Sequence, residues 1–135
     1  MCGYFLLKLM KIKEINHVAL YVRDLPQTVH FYGNVLELPI LPRPNFDFEG
    51  AWFALGTTHT LHIIAGRTSE EITGGSRKNH FAVEVESIKD CEEFLRNKGL
   101  SFLGPKRRPD GAPQIFLQDP EGYWIEFTSD EFMTT

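Results

Sequence analysis

The sequence is short of cysteine, of long apolar runs and of clustered charge, and each shortage removes a class of protein. Two cysteines, Cys2 and Cys91, cannot build a disulfide framework in a chain of 135 residues. Neither stands in a CxxC or beside a candidate base, which fits a reducing compartment and predicts a cytoplasmic protein. The only basic run is Lys106, Arg107 and Arg108, and the formal net charge is −4. A nucleic-acid surface would favour a basic patch, so nucleic acid is excluded as a partner. The apolar stretch in Met1–Met10 is too short to span a membrane or to form a signal core with its cleavage site. Residues 1–13 read as an N-terminal extension, with Met1 or Met10 as the functional start, and no membrane contact is expected.

What is present is an internal repeat. Residues 16–22 read Asn-His-Val-Ala-Leu-Tyr-Val, and residues 79–85 read Asn-His-Phe-Ala-Val-Glu-Val. Asn, His, Ala and Val recur in register, 63 positions apart. A helical pattern follows each copy. The first covers about 25–38, with Val29, Tyr32, Val35 and Leu36 on one face. The second covers about 88–99, with Ile88, Cys91, Phe94 and Leu95 on one face. Asp24 and Ser87 are the expected N-caps and Gly99 the stop. Three strand candidates follow each helix, at 40–46, 51–56 and 59–66, then at 101–104, 112–118 and 123–128. Gly56-Thr57-Thr58 and Asp119-Pro120-Glu121-Gly122 supply turn chemistry. A polar linker at 67–78 carries Gly74-Gly75-Ser76. The reading is βαβββ twice, an α+β fold whose paired modules build a curved mixed sheet.

Strand alternation then sorts the side chains. On four strands, one face is apolar throughout. The opposite face carries His17 with Ala19 and Tyr21, His62 with Thr60 and Ile64, His80 with Ala82 and Glu84, and Glu126 with Trp124 and Thr128. His17 and His80 are 63 residues apart, and His62 and Glu126 are 64 apart. A lone strand histidine is more often a core residue than a ligand. Here face, strand end and repeat spacing agree, and three imidazoles with one carboxylate suit a first-row divalent metal with positions left open. Tyr21 and Trp124 share the ligand face and are candidates to line a pocket. His30 and His59 lack this agreement and read as surface residues.

The segments INHVALYVRDL, HFYGNVLELP, NHFAVEVESI and above all DPEGYWIEF resemble the glyoxalase / bleomycin resistance / extradiol dioxygenase (vicinal oxygen chelate) superfamily over about residues 14–129. The resemblance implies one domain, 14–130, made of modules 14–66 and 79–129. It also implies one divalent metal (Zn, Ni, Co, Mn or Fe(II)) and a homodimer whose ligands come from one subunit or from two. By position, His17, His80 and Glu126 match the ligands of the first, fifth and eighth strands. His62 falls at the fourth-strand position, where glutathione-dependent glyoxalase I usually has Glu, and Tyr21 replaces that family's first-strand Arg. The implied function is a metal-dependent lyase or isomerase acting on a small molecule with vicinal oxygens through a metal-stabilised enediolate. Glu126 or a metal-bound water would be its base, with His62 a ligand or a proton shuttle. Two alternatives are an Fe(II) extradiol dioxygenase built on His17, His80 and Glu126, and a non-catalytic small-molecule-binding module of the resistance type. Arg43, Arg107 and Arg108 are expected to receive an anionic end of the substrate.

Overall fold

A computed structural model of the chain describes residues 10–68 and 78–131. Cys2 and the Gly74-Gly75-Ser76 linker turn lie outside the described residues. The elements run β1 (His17–Val22), α1 (Leu25–His30), β2 (Ile40–Leu41), β3 (Gly50–Leu55), β4 (His59–Ala65), β5 (Phe81–Glu84), α2 (Ile88–Asn97), β6 (Leu103–Arg107), β7 (Pro113–Gln118) and β8 (Trp124–Thr128). They form two four-stranded mixed sheets in the orders β1-β4-β3-β2 and β5-β8-β7-β6. In each, the first strand lies parallel to the last, and the others are antiparallel. No described helix is long and apolar enough to cross a membrane.

The local signals act as expected at the caps. Asp24 accepts from the Gln27 N–H at 3.0 Å and Ser87 accepts from the Asp90 N–H at 3.1 Å, each satisfying an otherwise orphan helix donor. Gly99 follows α2 at φ 72°, a conformation that favours glycine. Three expectations need correction. The first helix is not one α-helix over 25–38. After His30 it widens into a π-helical turn, Phe31–Val35, closed by the Leu36 N–H on the Phe31 carbonyl. The strand expected at 40–46 shrinks to two residues, because Pro42 and Pro44 have no N–H to give a ladder. The strand expected at 101–104 sits at Leu103–Arg107, with its register broken between Leu103 and Lys106 around Pro105.

One core serves both modules. Leu20, Val22, Phe53, Leu61 and Ile63 from the first sheet join Leu95 of α2 and Ile115, Leu117 and Ile125 from the second sheet. Burying each such side chain is worth about 1.5–3 kcal/mol. Cys91 of α2 packs against this core, and burial pushes its thiol up to about 11, so it stays a neutral packing group.

The Asp119–Gly122 turn of the second module is also clamped onto the first. Glu121 accepts from the Arg23 N–H (2.7 Å), the Asp24 N–H (3.0 Å) and the Arg67 Nη2 (2.6 Å). The Arg67 and Glu121 side chains are 3% and 5% exposed, so this is a buried ion pair. Burial alone would push Glu121 up, but these donors outweigh it and hold the carboxyl below the usual range. Beside it, the Tyr32 hydroxyl donates to Asp119 Oδ2 at 2.6 Å, and the Tyr123 hydroxyl donates to the Tyr21 carbonyl at 2.7 Å. Burial raises both Tyr32 and Asp119.

Candidate metal centre

Register explains how the ligand-type residues meet. Parallel pairing sets Ala19 against His62, so His17 and His62 lie on one face of adjacent strands. Their rings stack at 4.0 Å with planes 12° apart. Across the other edge of β4, Trp52 sits directly opposite His62 and stacks on it at 4.1 Å, 4° from parallel. His62 is therefore held between two rings. Its Nε2 lies 2.9 Å from Thr60 Oγ1. Burial lowers its pKa, with smaller contributions from His17 and from the Arg43 cation. The neutral imidazole is the form a metal needs. His17 Nδ1 lies 2.9 Å from Asn16 Oδ1. An amide oxygen at that point accepts a hydrogen bond from Nδ1–H, the tautomer that leaves a lone pair on Nε2.

The second module repeats the plan with different chemistry. His80 precedes β5 and Glu126 lies on β8, with His80 Nε2 3.2 Å from Glu126 Oε1. Glu126 is only 4% exposed. Phe116 stands opposite Glu126 on β7, as Trp52 stands opposite His62, and meets the His80 ring edge-on at 5.5 Å.

The four expected ligands therefore assemble as two pairs, His17 with His62 and His80 with Glu126. No group of three or more metal-capable side chains gathers among the described residues. As donors, the residues fit a borderline divalent ion: imidazole lone pairs on one module, an imidazole–carboxylate couple on the other. On both modules the face is open at its first strand, where His17, Ala19, Tyr21, His80, Ala82 and Glu84 are exposed, while His62 is half-buried and Glu126 buried.

The other predicted site residues fall in distinct places. The Tyr21 hydroxyl donates to the Gly66 carbonyl at 2.9 Å. Trp124 lines a cavity of about 190 Å³ together with His80, Val18 and Leu20. The Arg108 fork is engaged by Asp110 at 2.8 and 2.6 Å and holds that carboxyl at about 2, with Arg108 Nη1 4.0 Å from Glu126. Arg107 is exposed on β6, opposite Pro113. Arg43 lies against Phe46 and Phe48. His30 is exposed in α1, and His59 opens β4 rather than lying in a turn. Residue-by-residue reading missed Trp52 and Phe116. They are 64 positions apart, the spacing of His62 and Glu126, and that match was available as a signal.

Comparison with known proteins supplies the family. A profile of the Glyoxalase/Bleomycin resistance protein/Dioxygenase superfamily matches residues 14–127. Glyoxylase I 4 of Arabidopsis thaliana is 27% identical over 124 residues, covering 87% of this chain and 71% of the relative. A lactoylglutathione lyase of Neisseria meningitidis is 30% identical, covering 84% and 88%. Among solved structures, a protein from Bacillus anthracis described as glyoxalase family superposes with a TM-score of 0.78 at 23% identity, covering 91% of this chain and 99% of that one. With its two βαβββ modules, the chain belongs to the Glyoxalase/Bleomycin resistance protein/Dioxygenase superfamily.

Proposed function

We propose that this protein is a divalent-metal-dependent enzyme acting on a small molecule with vicinal oxygens, in lyase or isomerase-type chemistry. The observation that carries this reading is the pairing of ligand-type residues at equivalent register positions of both sheets, His17 with His62 and His80 with Glu126. A metal held by such donors supplies Lewis acidity toward neighbouring substrate oxygens. The chain's own residues do the rest. Glu126 is the candidate proton acceptor, a carboxylate withdrawn from solvent beside an imidazole. Asn16 orients His17, and Thr60 orients His62.

Because His17 and His80 stand exposed beside their partners, the reading includes a homodimer in which one protomer's His17–His62 face meets its partner's His80–Glu126 face. A second role for His62, as a proton carrier rather than a ligand, is favoured by one contact: Thr60 engages its Nε2.

Elemental analysis of purified protein, with light scattering on the same sample, tests the reading. The expected result is about one divalent metal per set of four ligands in a dimer, with metal lost from His80→Ala and Glu126→Gln. Full occupancy in both variants would remove the assigned centre, and a strict monomer carrying full metal would remove the shared arrangement. Iron with oxygen-dependent turnover would shift the assignment to dioxygenase chemistry.

A further inference from the structure

The first module carries aromatic side chains that the core does not use. Phe46 and Phe48 are each 42% exposed, and half-buried Trp52 is not among the side chains packed against the hydrophobic cluster. They pack on one another instead. Phe46 and Phe48 stack at 5.0 Å, Phe46 leans on Trp52 at 6.2 Å, and Trp52 continues into the His62–His17 stack. A chain of rings thus leads from the loop before β3 to the candidate ligands.

A cation is fixed at the outer end of this chain. The Arg43 guanidinium lies 4.8 Å from the Phe46 ring centre and 4.9 Å from that of Phe48, and its Nη2 donates to the Phe48 carbonyl at 2.7 Å. Gly50 lies beneath it: a Cβ there would clash with the Ile63 backbone carbonyl and would stand 3.2 Å from both Nε and Nη2 of Arg43. Among the described residues, Arg43 forms no ion pair. It faces a concavity of about 550 Å³, within the usual size range for small-molecule sites. Asp47 and Glu49 line the same concavity and are exposed, so a second negative charge on a ligand would meet repulsion there.

We propose that Arg43, Phe46, Phe48 and Trp52 form the substrate-recognition wall, and that the wall takes a planar conjugated monoanion such as an aryl 2-oxo acid. The aromatic part lies along the rings, the anionic end pairs with Arg43, and the wall aims the ligand toward His62. Planarity is selected because a flat π-system stacks on these rings where a puckered one cannot. Charge is selected because the guanidinium is already held in place and keeps donors for a carboxylate. The assignment deepens the proposed function and rests on it only for the position of the metal beyond His62.

Calorimetric titration of the full chain separates these features with three probes. Benzoylformate has the flat ring and the charge, cyclohexylglyoxylate has the charge without the flat ring, and methyl benzoylformate has the ring without the charge. In EDTA, benzoylformate is expected to bind about tenfold tighter than either of the others, a gap of the size aromatic and charge-assisted contacts give. Arg43→Gln should close the gap to the ester and keep the gap to the cyclohexyl compound, and the double change Phe46→Leu, Phe48→Leu should do the reverse. Equal wild-type affinity for benzoylformate and cyclohexylglyoxylate, or no benzoylformate binding at millimolar concentration, would overturn the proposal whether or not the variants fold. Adding Zn²⁺ tests the other reading separately. If the metal centre is misassigned, the gaps in EDTA persist and Zn²⁺ strengthens none of the three probes.

Discussion

The two modules share a register and spend it differently. In the first, the candidate ligand pair is two stacked imidazoles flanked by Trp52, and the β3–β4 turn at Gly56-Thr57-Thr58 is a plain hairpin connection. In the second, the pair is a histidine against a buried carboxylate, and the β7–β8 turn locks the modules together through Asp119, Glu121 and Tyr123. The aromatic opposite the ligand is half-buried Trp52 in one module and Phe116, 4% exposed, in the other. A duplicated plan therefore separates tasks. One copy presents rings and a fixed cation, while the other supplies a sheltered carboxylate and the clamp.

The largest expected effect comes from breaking the clamp. Arg67→Ala leaves the Glu121 carboxylate buried beside the first module without its cation, and removing one partner of a buried pair costs about 3–5 kcal/mol. Thr57→Ala, in the equivalent turn of the first module, should change stability by less than about 0.5 kcal/mol. Urea unfolding of both variants measures the contrast, and equal losses would mean the turns are not functionally divided.

A middle-sized effect is expected at the ligand pairs. If His62 is a ligand, Thr60→Val removes its orienting hydroxyl and should lower metal affinity by about tenfold, the lower end for a group that orients a ligand. If His62 only carries protons, metal affinity holds and turnover falls. Competition with a chelator, run beside a steady-state assay, distinguishes the two.

The smallest effect is in acid. The folded-state pKa of Glu121 is depressed, so its contribution to stability is present above the ordinary carboxylate pKa, about 4.3. It is lost as pH falls through the depressed value. The stability difference between wild type and Glu121→Gln should therefore narrow below that range. Asp119, raised by burial, acts in the opposite sense and at higher pH, between its raised folded-state value and the ordinary carboxylate value, because acid relieves the cost of keeping it ionised. Chemical denaturation of Glu121→Gln and of wild type between pH 7 and pH 3 checks the sign, and a difference that widens in acid would contradict it.

Much of the site was legible because its signals are local. Strand alternation put His17, His62 and Glu126 on the faces that carry the candidate ligands, and the 63-residue spacing of His17 and His80 and the 64-residue spacing of His62 and Glu126 put each pair at equivalent places in the two modules. The short β2 was not legible, since the pattern predicts a strand at 40–46, although Pro42 and Pro44, which lack an N–H, stand against it. The Arg43–Phe46–Phe48 group was not legible beyond the charge of Arg43. It depends on the path of a loop without periodicity, and on a glycine at its end whose missing Cβ allows close approach to the Ile63 carbonyl.

By itself, the sequence determined the two βαβββ units, their caps and turns, and the faces on which metal-capable groups stand, since these follow from periodicity, backbone freedom and side-chain alternation within a few residues. Only the tertiary structure decided that Glu121 meets Arg67 and Asp119 meets Tyr32. It alone decided that His62 lies between two rings and that the four candidate ligands of one chain gather in two pairs. Those contacts join residues tens of positions apart, and their geometry is set by strand register and by how the two sheets pack, which no local pattern encodes.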